Sequence, residues 1–298
     1  MNTRKKVIAL GFFDGVHRGH GELLKQVTLR AKELDAVPAA VTFDAHPSTL
    51  LMGQPVPLIN TMEDRAALMR ECYGIEDVEI AHFDRRMMCQ PWREFITEYL
   101  IGEQNACHVV CGHDFHFGYR GEGNPQRLKE FCAQFGVGCD IIGKVEVEGI
   151  TVSSTYIRTL VAQGEMERAV EYLGHPHILT GTVIHGKQLG RTIGIPTANL
   201  ALPEGLVKPA FGVYATRVIL EDGRSFLAVT NVGIRPTVDD GDQVTVEPWI
   251  LDFEGDLYGQ QLRLEFYSFL RGERKFNGLD ALKDEICRNA EETRAFFG

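Results

Sequence analysis

The apolar rhythm of this chain changes once, near Leu173, and the change sets the architecture. Before it, short apolar runs alternate with segments of helical period. Val7 to Phe12, Ala39 to Phe43, Val78 to His82, His108 to Cys111 and Cys139 to Ile142 read as strands. Gly21 to Leu34, Thr61 to Cys72, Trp92 to Ile101 and Pro125 to Phe135 read as helices between them. This alternation predicts a Rossmann-like parallel sheet covered by helices, with ligands beyond the carboxyl ends of its strands. After Leu173 the strand candidates are Leu179 to His185, Gly212 to Leu220, Phe226 to Val232, Val244 to Phe253 and Gln261 to Leu270, joined by turn-forming pieces such as Glu221-Asp222-Gly223. Strands at that spacing predict a small antiparallel β-barrel. A closing helix from about Leu279 to Phe296 carries Leu282, Ile286, Cys287 and Ala290 at helical spacing. The expected class is therefore α/β followed by all-β, with domains at 1–174 and 175–298.

With 298 residues, of which 44% are apolar, each half can bury its own core. A formal charge of -10 argues against a partner bound through its phosphate backbone, so no nucleic acid is expected. The basic start and apolar run at the amino end are interrupted early by Asp14 and His17, and no stretch is long enough to span a bilayer. Export and membrane insertion are not expected. The 7 cysteines follow neither a paired CxxC pattern nor a disulfide framework, which predicts reduced, mostly buried thiols and a cytoplasmic location. Self-association is left open.

Two glycine-rich runs carry the chemistry. The first, Gly11-Phe12-Phe13-Asp14-Gly15-Val16-His17-Arg18-Gly19-His20, falls where a first strand should turn into a first helix. Gly15 and Gly19 let backbone approach a nucleotide, and His17 and His20 can donate to phosphate oxygens. Far downstream, Ser153, Ser154 and Thr155 open another helix, with Arg158 one turn on: hydroxyls and free N–H groups at a helix start form an anion site. Taken singly, these are also a turn with two surface histidines and an ordinary serine cap.

The second run extends from Gly181 to Asn199 and contains Gly186, Lys187, Gly190 and Arg191, then Pro196-Thr197-Ala198-Asn199. Glycines with two cations suit a phosphate cradle. Thr197 and Asn199 are two apart, so in an extended chain their oxygens project from one face, a set that suits Mg²⁺ completed by ATP phosphates and water. No Walker motif occurs.

Together the HxGH run and the serine-rich helix start resemble the nucleotidyltransferase superfamily. The longer runs Gly11 to His20, Thr42 to Pro47 and Gly112 to Gly118 resemble, more specifically, the FAD synthetase module of bacterial bifunctional riboflavin kinase/FAD synthetases. The resemblance implies that Gly11, Phe13, Asp14, Gly15, His17, Gly19, His20, Ser153, Ser154, Thr155 and Arg158 serve ATP, with His17 and His20 catalytic. It places His46, Asp114 and Phe117 in the flavin neighbourhood. His116 stands where the family usually has Arg.

Downstream of Asn199, the segments Phe211 to Tyr214, Asn231 to Thr237, Thr245 to Glu247, Asp256 to Gly259 and Arg271 to Phe276 occur in the order of the riboflavin kinase barrel. That similarity implies Glu247 as the base that takes the ribityl hydroxyl proton, Thr197 and Asn199 as metal ligands, and Arg271 beside flavin or nucleotide. Pro248 predicts an edge or bulged strand. Trp249 replaces the family's usual His. The implied substrates are ATP, riboflavin and FMN, with Mg²⁺ or Mn²⁺ as cofactor. The competing reading is an adenylyl- or cytidylyltransferase for another small acceptor, carrying a barrel that binds flavin without catalysis.

Overall fold

The computed structural model describes residues 4–45, 49, 53, 55–186, 190, 194–236 and 242–298. His46, Lys187 and Arg191 lie outside them. The chain forms two compact units, one comprising Met1–Pro57 and Met62–Ser154, the other Leu58–Thr61 and Thr155–Gly298.

The first unit is a five-stranded sheet in the order β3-β2-β1-β4-β5, all pairs parallel. Its strands are β1 (Lys6–Leu10), β2 (Val37–Phe43), β3 (Asp77–Ala81), β4 (Ala106–Gly112) and β5 (Gly138–Ile142). β2 is buried along its whole length, as expected of an interior parallel strand covered on both faces, and its one polar side chain, Thr42, is hydrogen-bonded. Helix Arg18–Glu33 buries Leu23, Leu24, Val27 and Ala31, and Pro125–Ala133 buries Leu128 and Cys132. The helix expected from Trp92 begins as one α-turn and continues over Phe95–Glu103 as a π-helix, in which Phe95 and Tyr99 stack at 5.4 Å. Such wide turns escape a search for a 3.6-residue period. A short hairpin, β6 (Glu146–Val147) with β7 (Ile150–Thr151), turns through Glu148 and Gly149, both at positive φ.

The second unit is a closed antiparallel barrel in the order β10-β11-β12-β9-β8-β13. Its strands are β8 (His177–Ile184), β9 (Asn199–Ala201), β10 (Gly212–Leu220), β11 (Ser225–Pro236), β12 (Asp242–Ile250) and β13 (Gln261–Gly272). β9 is too short to announce itself in the sequence. Pro248 lies inside the barrel wall rather than at an edge: it stands opposite Thr230 on β11, and its carbonyl accepts from the Ala198 N–H at 2.9 Å just before β9. Trp249 joins Val213, Val229, Leu251 and Ala290 in a hydrophobic cluster between the barrel and the C-terminal helix.

Two expectations fail. Cys72, Cys89 and Cys287 are exposed, and only Cys111, Cys132 and Cys139 are buried. Helix Leu279–Phe297 buries Glu285, Asn289, Ala290 and Thr293, with Cys287 facing outward. A largely polar inner face is stable here because the barrel presents Arg271 to it, whose Nε donates to Asn289 Oδ1 at 3.0 Å.

Candidate active sites

At the carboxyl end of β1 the chain enters a tight turn before helix Arg18–Glu33. Phe13, Gly15 and Val16 all have positive φ, at 56°, 80° and 42°. For a β-branched valine this is costly, and such backbone persists only where its surroundings hold it. Phe13, Asp14, Val16 and His17 are buried. His17 caps the helix, its Nδ1 accepting from the His20 amide at 3.3 Å. The two imidazoles stack with centroids 3.6 Å apart, and Phe13 meets His20 edge-on at 5.1 Å. A Cβ on Gly19 would stand 3.1 Å from the His17 ring, so the stack leaves no side-chain space there.

Burial, then the His17 imidazole and the Arg65 guanidinium, holds the His20 pKa well below the ordinary histidine range. His20 is therefore neutral at pH 7. Its buried Nδ1 has no hydrogen-bond partner among the described residues, a cost that a ligand would relieve. Ser154, at the start of helix Ser154–Gln163, donates its hydroxyl to the Asp14 carbonyl at 2.8 Å. The turn and the serine-rich helix start are thus joined directly. Thr155 and Arg158 belong to the second unit, where Arg158 Nη2 donates to Thr155 Oγ1 at 3.2 Å.

Other residues of the first unit lie at carboxyl ends of neighbouring strands. Asp114, after β4, is exposed, and its carbonyl faces His116 Nδ1 at 2.9 Å. Phe117 is buried in the core, between Phe95 at 5.3 Å and Phe115 at 5.4 Å, so its ring is engaged by protein. Asp44, after β2, holds His82, after β3, at 2.5 Å, and this hydrogen bond raises the His82 pKa. Neither His82, expected only as a strand end, nor Arg65 belongs to a signature run. Arg65 had a signal: a cation in helical phase with Leu68 and Met69.

In the barrel, cross-strand register gathers the predicted kinase residues. Glu247 lies opposite Asn231, and Asn231 opposite Val213, which itself faces Arg271. Val246 pairs with Leu200, so Asn199 occupies the adjoining register position beside Glu247. Directly opposed residues share a face, and Val213 identifies this face as the one covered by the C-terminal helix. A Cβ on Gly186 would come within 2.4 Å of Asn199 Nδ2, so the loop backbone rests on that amide. At Gly190, a Cβ would stand 2.1 Å from the Ile195 carbonyl oxygen. Thr197 is half-buried. Arg271 Nε is 3.1 Å from Glu285 Oε1, and the Glu285 carboxylate also meets Arg274 and Arg288. Burial opposes the charge on Glu285, but these guanidiniums hold its pKa below the usual carboxylate range.

Among the described residues, no group of three or more His, Cys, Asp or Glu side chains is placed to hold a metal ion. The hard oxygens of Thr197 and Asn199 fit Mg²⁺ only as a minority of its ligands, with nucleotide phosphates and water supplying the rest.

The FAD synthetase family matches residues 1–156, and the riboflavin kinase family matches residues 173–297. The bifunctional riboflavin kinase/FMN adenylyltransferase of Listeria monocytogenes is 36% identical, covering 98% of this chain and 92% of its own. That of Bacillus subtilis is 35% identical, covering 98% and 93%. A crystal structure described as a macrolide-efflux protein from Streptococcus pneumoniae superposes with a TM-score of 0.87 at 31% identity, covering 99% of this chain and 95% of its own. No helix among the described residues is long and apolar enough to cross a membrane. Matched by both families in sequence order and along nearly its full length by curated relatives, the chain belongs to the bifunctional riboflavin kinase/FMN adenylyltransferase family.

Proposed function

We propose that residues 1–174 convert FMN and ATP into FAD and pyrophosphate, and that residues 175–298 convert riboflavin and ATP into FMN and ADP. The observation that supports this reading is the presence in one chain of two different residue groupings suited to phosphate chemistry. One is the stacked His17–His20 pair on a strained turn, the other the Asn199, Glu247 and Asn231 positions on one barrel face.

In FMN adenylylation the nucleophile is already an ionised phosphate, so no protein base is required. His17 and His20, with the backbone at Gly11, Phe13, Asp14, Gly15 and Gly19, act by donating to phosphate oxygens as charge builds around the α-phosphorus. Ser153 and Ser154 extend the anion site. Asp114 and His46 orient flavin, and Phe117 supports that wall through Phe115.

In riboflavin phosphorylation Glu247 accepts the proton of the ribityl hydroxyl as its oxygen attacks the γ-phosphorus. Gly186, Lys187, Gly190 and Arg191 cradle phosphates. Thr197 and Asn199 would hold Mg²⁺, which when bound supplies positive charge to the nucleotide phosphates. Arg271, fixed by Asn289 and Glu285, faces flavin or nucleotide. Purified protein incubated with riboflavin, ATP and Mg²⁺ should yield FMN first and FAD second by chromatography. FAD from supplied FMN without any FMN from riboflavin would favour the adenylyltransferase with a silent barrel.

A further inference from the structure

The sheet unit contains a cation that neither signature run includes. Arg65, on helix Met62–Tyr73, is 0% exposed. Its Nη1 donates to the Phe12 carbonyl at 2.7 Å and to Thr42 Oγ1 at 3.2 Å, and is 3.5 Å from the Phe43 carbonyl. Thr42 Oγ1 in turn donates to the same Phe12 carbonyl at 2.8 Å. Nη2 is 3.6 Å from Asp14 Oδ1, and the guanidinium lies 4.3 Å from the centre of the Phe12 ring. One side chain therefore joins the carboxyl ends of β1 and β2 to the turn that leads to His17.

Stability alone explains this arrangement poorly. Nε and Nη2 make no hydrogen bond among the described residues, so the cost of desolvating a guanidinium is only partly offset. Burial lowers its pKa to about 10, with Asp14 opposing the shift, and the group remains a cation at pH 7. An apolar residue in phase with Leu68 and Met69 would close the sheet without that cost. What Arg65 does hold is the segment least able to hold itself, with Phe13 and Val16 both in the left-handed region.

We propose that Arg65 is a positioning residue for adenylyl transfer: by clamping Phe12 and Asp14 it fixes the turn from Phe13 to Val16, and with it the stacked His17–His20 pair. Arg65 itself touches no substrate. The inference rests on assigning FMN adenylylation to this unit, and the riboflavin kinase activity of the same chain provides an internal control.

The test compares Arg65→Met, Arg65→Lys and Thr42→Val in the full-length protein, measuring kcat and KM for both reactions and the melting temperature. For Arg65→Met, kcat for FMN adenylylation should fall on the order of 10²-fold, as for a misplacement of about 1 Å at reacting groups, while KM for ATP and FMN changes far less. Arg65→Lys should recover a large part of the loss, and riboflavin phosphorylation should be retained in every variant. Thr42→Val keeps the buried cation and removes one anchor, so it should lower the same kcat while the protein stays folded, with only the modest fall in melting temperature expected of lost buried hydrogen bonds, even if Arg65→Met fails to fold. An unchanged adenylylation kcat in Thr42→Val, a lysine variant no better than methionine, or parallel loss of both activities would overturn the proposal. If the parent protein itself formed no FAD from FMN, the assignment of the site would fail, not the clamp.

Discussion

The Ser154 hydroxyl donates to the backbone carbonyl of Asp14 at 2.8 Å, across 140 positions of sequence. The bond spends the serine on the strained turn instead of on its own helix. Ser154→Ala should therefore loosen the turn, because the hydroxyl's single hydrogen is the one donated to Asp14. A neutral hydrogen bond contributes about 0.5–1.5 kcal/mol. FMN adenylylation should fall by roughly tenfold or more, with riboflavin phosphorylation unchanged, as read by separate initial-rate assays. An unchanged adenylylation rate would remove this bond from the account.

His20→Ala removes one half of the imidazole stack and, on the proposed reading, a donor to developing phosphate charge. FAD formation should fall by roughly 10²-fold or more. FMN formation from riboflavin should stay near normal, because its groups lie in the barrel. Time courses of the two products separate these effects, and a normal rate of FAD formation would exclude His20 from the mechanism.

The architecture was legible because its signals are long-range and repetitive. Parallel β2 reads as a mostly apolar run, and the later strands recur with turn residues between them. The first glycine-rich run stands out in the sequence and is found as the positive-φ turn before helix Arg18–Glu33, whereas much of the second lies outside the described residues. What escaped is what register and topology create. β9 has only three residues, and nothing local pairs Asn199 with a strand. Arg65 stands in helical phase with Leu68 and Met69, but its partners Phe12, Thr42 and Asp14 come to it only when the sheet forms. Glu285 and Asn289 read as surface polarity until Arg271 arrives from β13. In each case the partner is remote in sequence, so local periodicity cannot supply it.

His177 is fully buried in the barrel, and neither ring nitrogen has a hydrogen-bond partner among the described residues. Burial, with a smaller contribution from His175, lowers its pKa from 6.5 to about 3. The unfolded chain takes up this proton below about pH 6.5 and the folded barrel does not. Its contribution to stability is complete above pH 6.5 and is lost as pH falls toward 3, at up to about 1.4 kcal/mol per pH unit. His177→Phe should flatten that slope, followed by Trp249 fluorescence in a Trp92→Phe background. An equal slope in both proteins would refute the assignment.

Both reactions should require a divalent cation. Thr197 and Asn199 bring no charge, and the imidazoles of the first site supply no fixed dication, so the polyphosphate charge needs screening from elsewhere. Excess EDTA should abolish both activities, and added Mg²⁺ should restore them. Full activity in EDTA would contradict this.

On the proposed function, the barrel catalyses phosphoryl transfer through Glu247, independently of adenylylation. Glu247→Gln keeps size and hydrogen-bonding capacity on β12 opposite Asn231 but removes basicity. The most direct measurement is kcat for riboflavin phosphorylation in this variant, alongside adenylylation of supplied FMN. The account predicts a fall of about 10² to 10⁴-fold in the first and little change in the second. Riboflavin phosphorylation at the parental kcat, whatever its KM, would contradict it.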